Sequence, residues 1–346
     1  MRYLVVIMLL YMPLSGIAQT HGGDDHPPSV RDMILEHTAD SYSWHITTWR
    51  GRDISIPLPV IVFDGAKPVI FLSSSLPYRG FEIAEAGRYE GKIIVSSSGK
   101  RPPDISITRN VLALMINAAI LLALVLPLVS WYRRNDRSLH PRGIRGSVEM
   151  LITMVEEDII KPCIGENYRR YSLYLLTVFF FILINNLMGL VPLFPGGANT
   201  TGNIAVTFVL ALFSFFYINF FGTREYWKEV FWPEVPMWLK VPVPLMPVLE
   251  FVGIFTKPFA LMVRLFANIF AGHAIILGFV CFIFVMRSTM GTAVSSGLSV
   301  MLILLAFFMS FIELLVAFIQ AYVFTLLTSV FIGLSQIQNH KSTEKL

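Results

Sequence analysis

Charge is scarce in this sequence. Only 14% of its 346 residues are Asp, Glu, Lys or Arg, against roughly 25% in an average soluble domain. With 55% hydrophobic residues and a mean hydropathy of +0.64, an ordinary soluble enzyme is excluded. A disordered chain is excluded too, because such chains are apolar-poor and charge-rich. Cysteine is rarer still. Cys163 and Cys281 are the two present, which rules out a disulfide-stapled secreted scaffold. The 27 basic and 23 acidic residues nearly balance, and the basic ones form no stripe of the kind that holds nucleic acid. There is no Gly-rich phosphate loop ending in Lys-Ser/Thr and no His-Glu-x-x-His, so no nucleotide, metal or other cofactor is implied. An integral membrane protein remains, and the informative question is where its few charges lie.

Met1-Arg2, the apolar run Tyr3 to Leu14 and the small residues Gly16 and Ala18 have the layout of a secretory signal. Residues 1–18 are read as a cleaved signal peptide, with an uncleaved anchor as the alternative. Residues 19–105 are more polar and form an extracytoplasmic region. Short runs such as Ile54 to Leu58 and Val69 to Leu72, punctuated by Gly and Pro, read as strands. A small β-rich piece is expected. His21, His26, His37 and His45 match no metal-ligand spacing and are read as solvated.

Residues 106–346 form an all-α membrane domain. Five spans are expected, at about 111–130, 172–193, 203–221, 247–286 and 294–337. An amphipathic helix at about 147–160 is expected to lie on the membrane surface. Lys and Arg set the orientation. Eight of them fall between residues 131 and 171, three between 222 and 246 (Arg224, Lys228, Lys240) and two in the tail (Lys341, Lys345); the external loops hold only Arg287. By the positive-inside rule the mature N-terminus is outside and the C-terminus cytoplasmic. The last two segments, at 1.5 Å per residue, are each roughly 60 Å long, about twice the ~30 Å hydrocarbon thickness. They are expected to be tilted or bent helices packed as an antiparallel pair.

The exceptions inside those segments carry the chemistry. Between Lys257 and Arg287 the one charged residue is Arg264, accompanied by the titratable His273; between Arg287 and Lys341 it is Glu313. A charge at bilayer depth costs a few kcal/mol and usually marks an ion path. Arg264 cannot shed its proton, whereas His273 and Glu313 can exchange theirs when their surroundings permit. Helical phase refines this. Arg264 and Asn268 share a face, as do Glu313 and Gln320. Arg264 and His273 point in different directions, so His273 can face Glu313 while Arg264 faces another partner. The small residues Ala267, Ala271 and Gly272 permit close approach of a helix.

The run Thr256-Lys257-Pro258-Phe259-Ala260-Leu261-Met262-Val263-Arg264-Leu265-Phe266-Ala267-Asn268 through Gly272-His273 resembles the signature of subunit a of the F-type ATP synthase, in a bacterial form with an N-terminal extension. So do Glu313 through Gln320-Ala321-Tyr322-Val323-Phe324 and Asn186-Leu187-Met188-Gly189-Leu190-Val191-Pro192. The resemblance covers about residues 110–337. It implies a non-catalytic, proton-translocating stator subunit in a bacterial inner membrane, within a hetero-oligomeric complex. Its partners would be a ring of small hairpin (c) subunits, each with one mid-membrane carboxylate, the peripheral-stalk (b) subunits and lipid. ATP chemistry would belong to other subunits. Arg264 matches the family's essential arginine, which attracts the ring carboxylate and separates two half-channels. Asn268, His273, Glu313 and Gln320 match positions lining the external half-channel. The acid and the imidazole are exchanged relative to some members, and Gly189 and Ala260 replace an acid and a serine found in others. An ion-coupled secondary transporter is the alternative, but it predicts inverted repeats, and no such symmetry is visible.

Overall fold

The computed structural model describes residues 40–49, 52–64, 67–78, 80–84, 89, 91–135, 141–191, 196–197, 200–231, 245–289 and 292–336. The signal segment 1–18 and His21, His26 and His37 lie outside the described residues. The chain divides into two compact units. One comprises Met1–Ile116 with Met188–Thr200, the other Asn117–Leu187 with Thr201–Leu346.

In the first unit, three antiparallel hairpins form from β1 (Ser43–Trp49) with β2 (Arg52–Pro57), β3 (Pro59–Asp64) with β4 (Lys67–Leu72), and β5 (Phe81–Ile83) with β6 (Ile93–Val95). Alternation decides which side of β3 is buried. Val60 and Val62 point inward with Phe71, Tyr42, Phe81 and Ile93. Residues 103–107 run beside β3, with the amides of Phe63, Ile105 and Ile107 bonded to the carbonyls of Pro103, Ile61 and Pro59. Asp104 anchors this segment. It accepts from the Tyr42 hydroxyl at 2.5 Å and from the Ser106 amide at 2.9 Å. Burial and the adjacent Asp104 carboxylate push the Tyr42 phenol well above its ordinary range, so it remains a donor. Trp44 packs with Ala113, near Leu112 and Ile116, which ties the hairpins to the start of the first long helix.

That helix is α1 (Arg109–Arg134). It is followed by α2 (Ile144–Met154), a wide π turn (Val155–Ile160), the short α3 (Lys161–Ile164) and α4 (Tyr168–Leu190). Gly165, with φ 76°, ends α3 in a conformation that side chains resist. The expected surface helix at 147–160 is therefore helical, but its second half is the π turn. α5 (Ile204–Phe220) begins with Asn203 capping the amide of Ala205 at 2.9 Å. It bends 101° into α6 (Arg224–Phe231). Two very long helices close the chain, α7 (Leu245–Thr289, 45 residues) and α8 (Thr292–Ser335, 44 residues). α7 continues through Arg287, where a turn was expected, and only residues 290–291 separate it from α8.

Among the described residues, four helical stretches are long and apolar enough to cross a membrane: Arg109–Arg134, Ile144–Leu190, Met246–Ile283 and Gly297–Ser335. The bent pair α5–α6 makes a fifth if counted as one span. The chain is thus a mostly helical integral membrane protein. The core of the second unit forms around α4. Tyr171, Leu175, Phe179 and Ile182 meet Leu261, Leu265 and Ile269 of α7 and Ala321, Phe324 and Ile332 of α8. These spacings of three and four residues place one stripe of each helix inward.

Candidate functional site

α7 and α8 pack against one another along their length, and their few polar residues meet in pairs. The Asn268 amide nitrogen donates to the Gln320 amide oxygen at 2.8 Å. The His273 ring nitrogen Nδ1 contacts Glu313 Oε1 in a close ion-pair geometry. The antiparallel arrangement stacks these contacts as two rungs. Five residues separate the rungs on α7 and seven on α8. Glu313 is 4% exposed and Gln320 3% exposed, while the His273 side chain is 17% exposed.

Gly272 explains how Glu313 fits. A Cβ on that glycine would lie 2.8 Å from Glu313 Oε1, 3.0 Å from Cδ and 3.2 Å from Cγ. The bare backbone of α7 is the wall against which the carboxylate rests. The sequence had suggested Gly272 as a small residue near Arg264 for helix approach; in the structure its approach is to Glu313.

Arg264 belongs to neither rung. It is exposed on α7, with Ala267, Asn268 and Ala271 exposed on the same side. Among the described residues no carboxylate pairs with it. The adjacent Leu261, Leu265 and Ile269 are buried, so the helix presents the guanidinium outward. The structure therefore brings together Asn268 with Gln320 and His273 with Glu313, while Arg264 shares the exposed side of α7 with Asn268.

Three asparagines extend the polar seam beyond what spacing indicated. Asn117 of α1 donates to the Asn185 side-chain oxygen at 2.9 Å, and Asn185 donates to the Phe181 carbonyl at 2.7 Å. Asn186 of α4 donates to the Ala317 carbonyl at 3.2 Å, between Glu313 and Gln320 on α8. Four buried atoms of this region have no hydrogen-bond partner among the described residues: Glu313 Oε2, Gln320 Nε2, Asn186 Oδ1 and Asn117 Oδ1. Buried polar atoms are normally satisfied by protein or by ordered water. The bonds of the adjacent pair Asn185-Asn186 tie α4 to α1 and to α8. The bond from Asn186 to Ala317 was not legible in the sequence, because it joins residues 131 positions apart.

Long apolar helices that bury Glu313 and Gln320, hold a half-buried imidazole against the acid and turn an arginine outward define a polytopic membrane protein with titratable groups between its helices. Comparison with known proteins makes this specific. The ATP synthase A chain family matches residues 112–333. ATP synthase subunit a of Chloroherpeton thalassium is 41% identical over 238 residues, 67% of each chain. That of Pelodictyon phaeoclathratiforme is 40% identical over 255 residues, 71% of each chain. That of Myxococcus xanthus is 39% identical over 244 residues, 68% of this chain and 75% of its own. The chain belongs to the family of ATP synthase subunit a. It is accordingly the non-catalytic, proton-translocating membrane subunit of the F-type synthase. A separate family, Domain of unknown function (DUF8433), matches residues 33–106.

Proposed function

We propose that this chain provides two half-channels to the carboxylates of a rotating ring of c subunits, with Arg264 as the barrier between them. The observation that carries the reading is the exposed Arg264, which has no carboxylate partner among the described residues. A permanent cation at bilayer depth needs a counter-charge, and the ring carboxylate supplies one. Ala267 and Ala271 beside it leave room for a neighbouring helix to approach.

A proton entering from outside passes the His273–Glu313 pair and neutralises a ring carboxylate, which then turns into lipid. On return, attraction to Arg264 favours the ionised carboxylate and the proton leaves on the cytoplasmic side. Gln320 and Asn268 line the external path. The unpartnered Glu313 Oε2, Gln320 Nε2 and Asn186 Oδ1 support a hydrated route there. Peripheral-stalk (b) subunits hold the chain stationary. In this reading residues 1–18 are removed, 19–105 lie outside the inner membrane, and 106–346 cross it five times to a cytoplasmic C-terminus.

The test is Arg264→Ala in the assembled complex. ATP synthesis driven by a proton gradient in vesicles is expected to vanish while subunit composition stays normal. Normal coupled synthesis in this variant would overturn the proposal.

A further inference from the structure

The asparagines of the polar seam are oriented by their partners. Phe181 and Ala317 each offer a backbone carbonyl, which only accepts. Asn185 therefore turns its NH2 group to Phe181 and its oxygen toward α1. Asn117 meets that oxygen with its own NH2 at 2.9 Å, and its Oδ1 is left over. Asn186 likewise uses its NH2 on the Ala317 carbonyl, which leaves its Oδ1. Asn117 is 3% exposed and Asn186 2% exposed. Asn117 Oδ1, Asn186 Oδ1 and Glu313 Oε2 are thus buried acceptors with no partner among the described residues, and Gln320 Nε2 is the matching donor. The bonds run from α1 through α4 and end on the turn of α8 between Glu313 and Gln320.

We infer that Asn117 makes α1 a wall of the external proton route, where its Oδ1 holds water as a hydrogen donor and favours the passage of an excess proton. The inference rests on the reading of His273 and Glu313 as the external entrance. Buried acceptors are normally satisfied by ordered water when protein supplies no donor. A hydronium offers three donors and a hydroxide chiefly accepts, so fixed oxygens favour the first and repel the second. Away from bulk water such oriented dipoles act strongly. An amide suits the task because it attracts a proton without taking it up. α1 carries no titratable side chain between Arg109 and Tyr132, and α4 none after Tyr174. On α8 the titratable groups are Glu313 and Tyr322, and His273 of α7 contacts Glu313. The proton that Asn117 guides is therefore received by the His273–Glu313 pair.

The test separates this role from a clamp that merely ties two helices together. The whole complex is reconstituted in vesicles, and ATP synthesis per assembled complex is followed at a fixed membrane potential while the pH on the external side is varied. Asn117→Leu removes the acceptor. The pH of half-maximal synthesis is expected to fall by roughly 0.7, about fivefold more protons, the weight of one hydrogen bond. Asn117→Asp keeps an acceptor, and when protonated still donates to Asn185, but it also binds a proton. Its midpoint is expected to rise by a similar amount. A clamp would lower the rate at every pH and move neither midpoint, and that result, or two shifts of the same sign, would overturn the inference. If the leucine variant does not assemble, the aspartate variant decides alone, by a raised midpoint or an unmoved one. Glu313→Gln is measured in parallel. An unchanged profile there would remove the external entrance itself and this inference with it, whereas a changed profile with unmoved Asn117 midpoints would remove Asn117 alone.

Discussion

Gly272 shows how much one missing methyl group decides. Glu313 reaches His273 because α7 has no side chain at residue 272. Gly272→Ala would place a Cβ 2.8 Å from Oε1, so the carboxylate must move. A displaced proton-transfer group can cost up to about a hundredfold in rate. Passive proton flux through the membrane sector is expected to fall at least about tenfold, with assembly unchanged; flux equal to that of the unmodified complex would remove Gly272 from the mechanism. The pair itself makes a second prediction. His273→Glu combined with Glu313→His should retain more ATP synthesis than either single substitution, because the double variant restores an acid beside an imidazole. Losses that simply add would show that the two residues act separately. That His273 and Glu313 could meet was legible from helical phase. That Gly272 makes the contact possible was not, because a glycine carries no signal of what it lies against.

At the scale of elements, α8 is held at its C-terminal end by contacts that spacing could not announce. Gly333 passes so close to the short α3 that a Cβ would lie 2.1 Å from the Cys163 carbonyl oxygen. The Thr223 amide donates to the Ser335 carbonyl at 3.0 Å, and the Lys257 ammonium lies 5.6 Å from the Phe331 ring centroid. Gly333→Val is therefore expected to dislodge α3 from α8 and sharply lower the yield of assembled chain, read by quantitative blotting of membranes. Gly278→Ala is the control. Nothing lies within 4 Å of its Cβ, and alanine favours the helix by roughly 1 kcal/mol, so assembly should be unaffected. The helices themselves were legible, since α5 and α8 begin and end within about two residues of the expected spans. The π turn Val155–Ile160 was not. Val155, Ile159 and Ile160 are fully buried there, and the extra residue in the turn serves packing against other helices.

The whole molecule is ordered by where charge is permitted. Lys and Arg outside the spans predict that residues before α1 are external and those between α1 and α4 cytoplasmic. The check uses a background of Cys163→Ser with Cys281→Ser and one new cysteine at a time. Lys100→Cys, at an exposed position, should react with a membrane-impermeant maleimide in spheroplasts. Glu157→Cys, also exposed, should react only after permeabilisation. The opposite pattern would reverse the orientation of the entire proton path.

The sequence by itself determined the membrane class, the long helices and the short list of residues able to handle a proton. Solvation is the reason. Hydrocarbon excludes charge so strongly that each tolerated exception, Arg264, His273 and Glu313, stands out in one dimension. Only the tertiary structure decided which exceptions touch. Asn268 bonds Gln320, His273 meets Glu313 against Gly272, Asn186 reaches the Ala317 carbonyl, and Arg264 is left facing outward. Those pairings depend on the register and separation of α7, α8 and α4. Side-chain packing between helices sets both, and no periodicity within a single helix encodes them.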